Sequence, residues 1–109
     1  MALAESGSMS RLFRVDYGDG QTFVFLSGEH DLSTSLALRH LMAEAIARND
    51  ADVIVDLSQV DFMGASTVGV IVRAREFLRQ HSRQLSVRAS SRRARHVLEL
   101  CGLADILED

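Results

Sequence analysis

At 109 residues the chain has room for one domain around one core. Apolar residues at 47% and charged residues at 25% exclude a disordered chain, and no apolar run approaches the roughly 20 residues that span a bilayer. The net charge is only −3, but it is segregated: eight arginines lie between Arg73 and Arg95 against the single Glu76, so that segment carries +7 and the remainder −10.

Residues 1–10 have no basic start and no long apolar stretch, so they read as a flexible tail rather than a secretory signal, with the domain over 11–109. Leu12 to Tyr17 alternates Phe13, Val15 and Tyr17 with Arg14 and Asp16, which predicts a strand. Gly18-Asp19-Gly20 is a hairpin turn, and Gln21 to Ser27 is the second strand. Gly28-Glu29-His30-Asp31 is expected to leave the sheet. Asp31, Ser33 or Thr34 can cap a helix whose buried stripe is Leu38, Leu41, Met42, Ala45 and Ile46.

Val53-Ile54-Val55 is a β-branched run suited to a strand buried on both faces, ended by the turn chemistry of Asp56 and Ser58. A loop, Asp61 to Thr67, follows. From about Ser66 the period becomes helical, with Thr67, Val70, Ile71, Ala74, Phe77 and Leu78 on one stripe. Ser66 and Thr67 thus fall at a helix N-terminus, where free N–H groups favour an anion. Capping alone accounts for a Ser there. Leu85-Ser86-Val87 is a short strand. Ser90 or Ser91 caps a third helix with stripe Ala94, Val97, Leu98 and Cys101, Gly102 follows at its C′ position, and Ile106-Leu107 is a candidate last strand. The order predicts an α/β fold: a mixed sheet of four or five strands with three helices packed on it.

Three blocks carry a family resemblance: Leu26-Ser27-Gly28-Glu29-His30-Asp31, Val53 through Met63, and Leu98-Glu99-Leu100-Cys101-Gly102-Leu103. In this order and spacing the chain resembles STAS domains of the anti-sigma factor antagonist type. The resemblance implies a single STAS-like domain that binds an anti-sigma factor of the histidine-kinase-like ATPase type and so releases a sigma factor. The family's signature, D-S-[ST]-G-[LIV]-G, carries a Ser that the partner kinase phosphorylates. Aligned on Phe62-Met63, Gly64 replaces the Asp, Ala65 occupies the acceptor position, Ser66 matches the second hydroxyl, Thr67 replaces the first Gly and Gly69 matches the last. The resemblance therefore implies a docking surface of Gly64, Ala65, Ser66, Thr67, Gly69 and Arg73 with the Gly28, Glu29, His30 and Asp31 turn, and leaves Ser66 as the phosphorylation candidate.

Other chemistries lack support. Gly64-Ala65-Ser66-Thr67-Val68 misses the last Gly of a nucleophile elbow, and a serine hydrolase needs partners this order does not supply. A receiver-type aspartate at Asp56 fails for want of any Lys. His30, His40, His81 and His96 have no metal spacing, and no nucleotide motif is present, so no metal or cofactor is expected and the chain is read as a binding protein, not an enzyme. Cys101 cannot form an internal disulfide and is expected to be buried and inert, which fits a cytoplasmic setting. The Arg-rich segment reads as solvated helix faces or a docking surface for an acidic partner. An Arg-dependent nucleic-acid or anionic-ligand binding domain is the alternative function; nucleic acid lacks the aromatic interleaving it would use, since Phe77 is placed on the buried stripe. Monomer and weak dimer both remain open.

Overall fold

The computed structural model describes residues 12–89 and 91–108; the expected tail at 1–10 and Ser90, one of two expected caps, lie outside them. The elements are β1 (Phe13–Tyr17), β2 (Gln21–His30), α1 (Leu32–Arg48), β3 (Asp52–Met63), α2 (Ala65–Gln80), β4 (Leu85–Arg88), α3 (Arg92–Leu100) and a 3-10 turn (Ala104–Ile106). The four strands form one mixed sheet in the order β1-β2-β3-β4. The first pair is antiparallel and the other two are parallel. Val53, Ile54 and Val55 are 1%, 2% and 0% exposed, as an interior strand paired on both sides requires.

Both parallel connections advance the same way across the sheet, so right-handed crossovers put α1 and α2 on one face. There they share a core with α3: Leu38, Met42, Ile71, Leu78, Ala94 and Leu98 pack on Val24, Leu26, Val53, Val55 and Val87. Among the described residues the opposite face carries no helix. Phe23 and Phe25 stack there with centroids 6.0 Å apart, covered by the guanidinium groups of Arg88 and Arg14 at 5.5 and 4.1 Å.

The strands run further than the sequence pattern indicates. β2 continues to His30, and β3 continues through Asp56 to Met63, in the register Gly28↔Val60, Glu29↔Phe62, His30↔Met63. So Gly28 to His30 does not leave the sheet, and Asp61 to Met63 is not loop. Two register irregularities absorb the turn chemistry. At the first, Asp56 Oδ1 accepts from Ser58 N–H at 2.9 Å and from Ser58 Oγ at 2.7 Å, so this carboxylate is buried in a bulged strand rather than placed in a turn. At the second, Gly28 takes φ +80, where a Cβ would also press on Leu12 at 3.3 Å. The expected last strand reduces to the 3-10 turn and one parallel bridge, Val87↔Leu107.

Two side chains assigned to buried stripes are exposed. Phe77 is 47% exposed because it sits about 90° around the helix from the line through Thr67, Ile71, Ala74 and Leu78. Cys101 is exposed because it is the C-cap of α3, where the chain leaves the core.

Helices α2 and α3 end alike. In α3 the Leu103 N–H donates to Leu98 O at 2.9 Å and Gly102 N–H to Glu99 O at 3.0 Å, with Gly102 at φ +74. In α2 the Arg83 N–H donates to Leu78 O at 2.8 Å and Ser82 N–H to Arg79 O at 3.1 Å. There Ser82 takes the left-handed conformation, φ +58, without being glycine. Ser82→Gly is therefore expected to raise the unfolding free energy by about 1 kcal/mol in a urea titration, by removing the Cβ cost at that position.

Candidate functional site

The strands β2 and β3 end side by side, with His30 opposite Met63. Immediately beyond, Gly64 N–H donates to His30 O at 2.8 Å, so the turn into α2 is fastened to the exit of β2 into α1. The first turns of the two helices emerge together. A methyl group at Gly64 would touch the Phe62 ring at 3.6 Å, His30 O at 3.7 Å and Asp31 Cα at 3.8 Å. The structure thus brings Gly64, at the entrance of α2, against His30-Asp31.

Gly64 is the N-cap of α2, with extended backbone (φ −88, ψ 173) and no side-chain cap hydrogen bond. Ala65, Ser66 and Thr67 are the first three helical positions. Ser66 is therefore not the cap that its place in the sequence suggests, because a capping side chain must precede the first helical residue. Ala65 is exposed and Ser66 half-buried, while Thr67 is fully buried and its Oγ1 has no hydrogen-bond partner among the described residues. Of the three, only Ala65 and Ser66 face solvent. Counting 100° per residue, Ser66, Gly69 and Arg73 lie on one flank of α2, the flank turned toward α1.

α1 is capped by Asp31. Its Oδ1 accepts from Ser33 N–H at 2.9 Å and Ser33 Oγ at 2.6 Å, and Thr34 Oγ1 accepts from Asp31 N–H at 3.2 Å, which completes a capping box. The hydrogen bonds from the Ser33 hydroxyl and then its N–H hold the Asp31 carboxyl below the usual carboxylate range. Asp31 and Glu29 are exposed. His30 is not: it is 0% exposed, its Nε2 bonded to Ser27 O at 2.9 Å and its ring edge-on to Phe13 at 5.2 Å. The side chain at 30 alternates inward along β2, so it belongs to the core and not to a surface. Gly28 lies further back in the strand, half-buried.

Three residues of this surface were not anticipated from sequence: Leu32, Phe62 and Leu36, exposed at 78%, 49% and 57%. Their signal is faint but present. Leu32 and Leu36 are four apart yet out of phase with the buried Leu38, Met42 and Ala45, so they form a second apolar line on α1.

The basic segment is not one continuous face. Arg75 pairs with Asp105 at 2.7 Å and holds that carboxyl low. Arg83 donates to Ala51 O at 2.9 and 2.7 Å and to Ile46 O at 3.1 Å. Arg88 pairs with Glu108 at 3.3 Å, and Arg95 donates to Ala89 O at 3.1 Å. Arg73 is exposed and makes no ion pair among the described residues. Within the same residues no group of three or more His, Cys, Asp or Glu is placed to hold a metal, and no helix is long and apolar enough to cross a membrane.

A family model described as "Mlab, STAS domain" matches residues 13–108, and the chain belongs to the STAS domain family. Among proteins of assigned role it is similar to the anti-sigma-B factor antagonist of Listeria monocytogenes, 29% identical over 85 residues that cover 78% of this chain and 75% of the relative. It is likewise similar to the anti-sigma-F factor antagonist RsfB of Mycobacterium tuberculosis, 31% identical over 78% of this chain and 69% of the relative. In structure it resembles the anti-sigma factor antagonist SpoIIAA in its unphosphorylated form, with TM-score 0.80 and 21% identity over 89% of this chain and 86% of the other. An anti-sigma factor antagonist from Mycobacterium paratuberculosis gives TM-score 0.77 and 27% identity over 87% and 80%.

Burial pushes the His30 imidazole below its ordinary value, against opposing hydrogen bonds to the Ser27 and Leu12 carbonyls. The neutral ring is thus preferred in the folded state. As pH falls below about 6.5 the unfolded chain takes up a proton that the folded one refuses, so this contribution to stability is present at neutral pH and is lost on acidification. Between about pH 7.5 and 5.5, urea unfolding should show a loss of stability that is absent in His30→Gln.

Proposed function

We propose that this protein is an anti-sigma factor antagonist that docks an anti-sigma factor through the paired first turns of α1 and α2, and thereby releases a sigma factor. The relatives that carry this role are binding regulators, which supports reading the chain as a binder rather than an enzyme. The observation that carries the reading is the surface itself. Exposed Phe62 lies against Gly64 at the open first turn of α2, Leu32 and Leu36 are exposed on the first turns of α1, and Glu29 and Asp31 are exposed where β2 leads into α1, as is Arg73 on α2. An apolar centre with a charged rim is the usual anatomy of a protein-binding patch. The docking residues are Gly64, Ala65, Ser66, Gly69, Arg73, Glu29 and Asp31; Thr67, His30 and Gly28 support them from within. A partner with a histidine-kinase-like ATPase fold fits the family pattern, and a cytoplasmic site of action follows from that partner.

Regulation is where this chain differs. The family acceptor position is Ala65, the first residue of α2, which has no hydroxyl. Ser66 is the next residue, rotated ~100° toward α1. We therefore read the protein as a constitutive antagonist, one that a kinase built for the first position does not switch off. Incubated with its anti-sigma factor and ATP, the protein should keep its intact mass and stay bound. Ala65→Ser should gain one phosphate, which adds about −1.5 to −2 charge inside the interface, and then dissociate. A stoichiometric phosphate on the unaltered chain that disappears in Ser66→Ala would make Ser66 a shifted switch and overturn this reading.

Arg73 gives a kinetic test of the same surface. Arg73→Glu should slow association with an acidic partner by about tenfold at low salt and leave the melting temperature nearly unchanged, since a rim charge acts on encounter rather than on folding. Equal association rates by surface plasmon resonance would assign Arg73 to solvent.

A further inference from the structure

Below the docking surface, the C-terminal halves of α1 and α2 separate around a cleft of about 430 Å³. Its origin lies in side-chain size. Ala43 and Ala47 on α1 and Ala74 on α2 line it, so the facing helices have little with which to fill the gap. Its volume falls within the range of small-molecule sites, which are apolar hollows with a few convergent polar groups. Met42, Ile46 and Val70 supply buried apolar surface.

Phe77 forms one wall. It is 47% exposed and is held in place by His81, whose ring stacks on it at 4.4 Å and whose Nδ1–H donates to Phe77 O at 2.9 Å. A large exposed ring with a fixed orientation, lining a hollow, leaves apolar area in water that a ligand body would cover. The upper end of the cleft is cationic. Arg39 and Arg73, one from each helix, line it, and neither makes an ion pair or hydrogen bond among the described residues. The lower end is less cationic: Asp50 and Arg83 both line it, so their charges offset, and both helices end there. Arg83 is spent there on the carbonyls of Ala51 and Ile46, closing the floor.

We infer that this cleft is a binding site for an amphiphilic organic anion, its carboxylate or sulfonate between Arg39 and Arg73 and its apolar body against Met42, Ile46, Val70 and Phe77. The charge gradient fixes the direction of binding, with the head toward the arginines and the body toward His81. Phosphate alone does not suit the site, because it would leave the apolar floor and Phe77 wet. The inference does not depend on the partner-binding role, and its test uses the isolated full chain.

The probe is anilinonaphthalene sulfonate, followed by its fluorescence. Saturable one-site enhancement is expected, with decanoate displacing the dye and decanol doing so poorly. Arg39→Gln and Arg73→Gln should each raise the dissociation constant about tenfold, the loss of one charge-assisted hydrogen bond. Ala43→Trp, which adds bulk from an exposed position, should abolish binding while circular dichroism stays native. Non-saturable enhancement, decanol competing as well as decanoate, or dye binding unchanged in Ala43→Trp would each overturn the proposal. So would failure of dye and decanoate to bind while Ala43→Trp abolishes anti-sigma factor binding; the cleft would then be a groove for a partner helix.

Discussion

The site depends on one backbone hydrogen bond, Gly64 N–H to His30 O at 2.8 Å. It continues the parallel pairing of β2 and β3 by one step past the end of the sheet, at the point where both chains turn into helices. Without it the first turns of α1 and α2 would be joined only through the core beneath them. With it, Asp31 and Gly64 become neighbours, and two helix N-termini open on the same surface. The bond is set by register, and register by the two irregularities that let β3 reach Met63.

The two N-termini are finished differently. α1 carries a full capping box from Asp31 and Thr34, so its first turn is satisfied from within the chain. α2 begins at a glycine and has no side-chain cap. A carboxylate at position 64, where the family signature has Asp, would sit at the N-cap and complement the helix dipole. Gly64 gives that up, and Ala65 beside it gives up the hydroxyl. Of the departures, Ala65 is exposed and Gly64 half-buried, while Thr67, which stands where the signature has its first Gly, is inward-facing at 0% exposure. The departure from the signature therefore alters what the surface presents and also places a side chain, Thr67, in the packing beneath it.

The arginines divide in a similar way. Arg75, Arg83 and Arg88 hold together parts of the fold distant in sequence, through Asp105, the Ala51 and Ile46 carbonyls and Glu108, and Arg95 fastens α3 locally to Ala89 O. Arg73 remains available to a partner or ligand. A +7 segment is thus partly an internal fastening, which explains why a basic stretch of chain does not make a basic face.

The sequence by itself determined the element order, the central position of Val53–Val55, a cap for α1 among Asp31, Ser33 and Thr34, and the glycine stop after α3, because each rests on local chemistry: β-branching, capping geometry and left-handed backbone. It also placed Gly64 to Thr67 at the entrance of a helix. Tertiary structure alone decided the rest. Asp56 and Ser58 read as a turn in isolation, but pairing with β2 on one side and β4 on the other makes a bulged strand the better solution for those donors and acceptors. Periodicity gives the phase of a helix stripe and not its width, so Phe77 looked buried until the position of α1 left its flank of α2 open. His30 looked like part of a polar turn until the strand was seen to continue and the alternation carried its ring inward. In each case the deciding quantity was which neighbour covers a side chain, and that neighbour is remote in sequence.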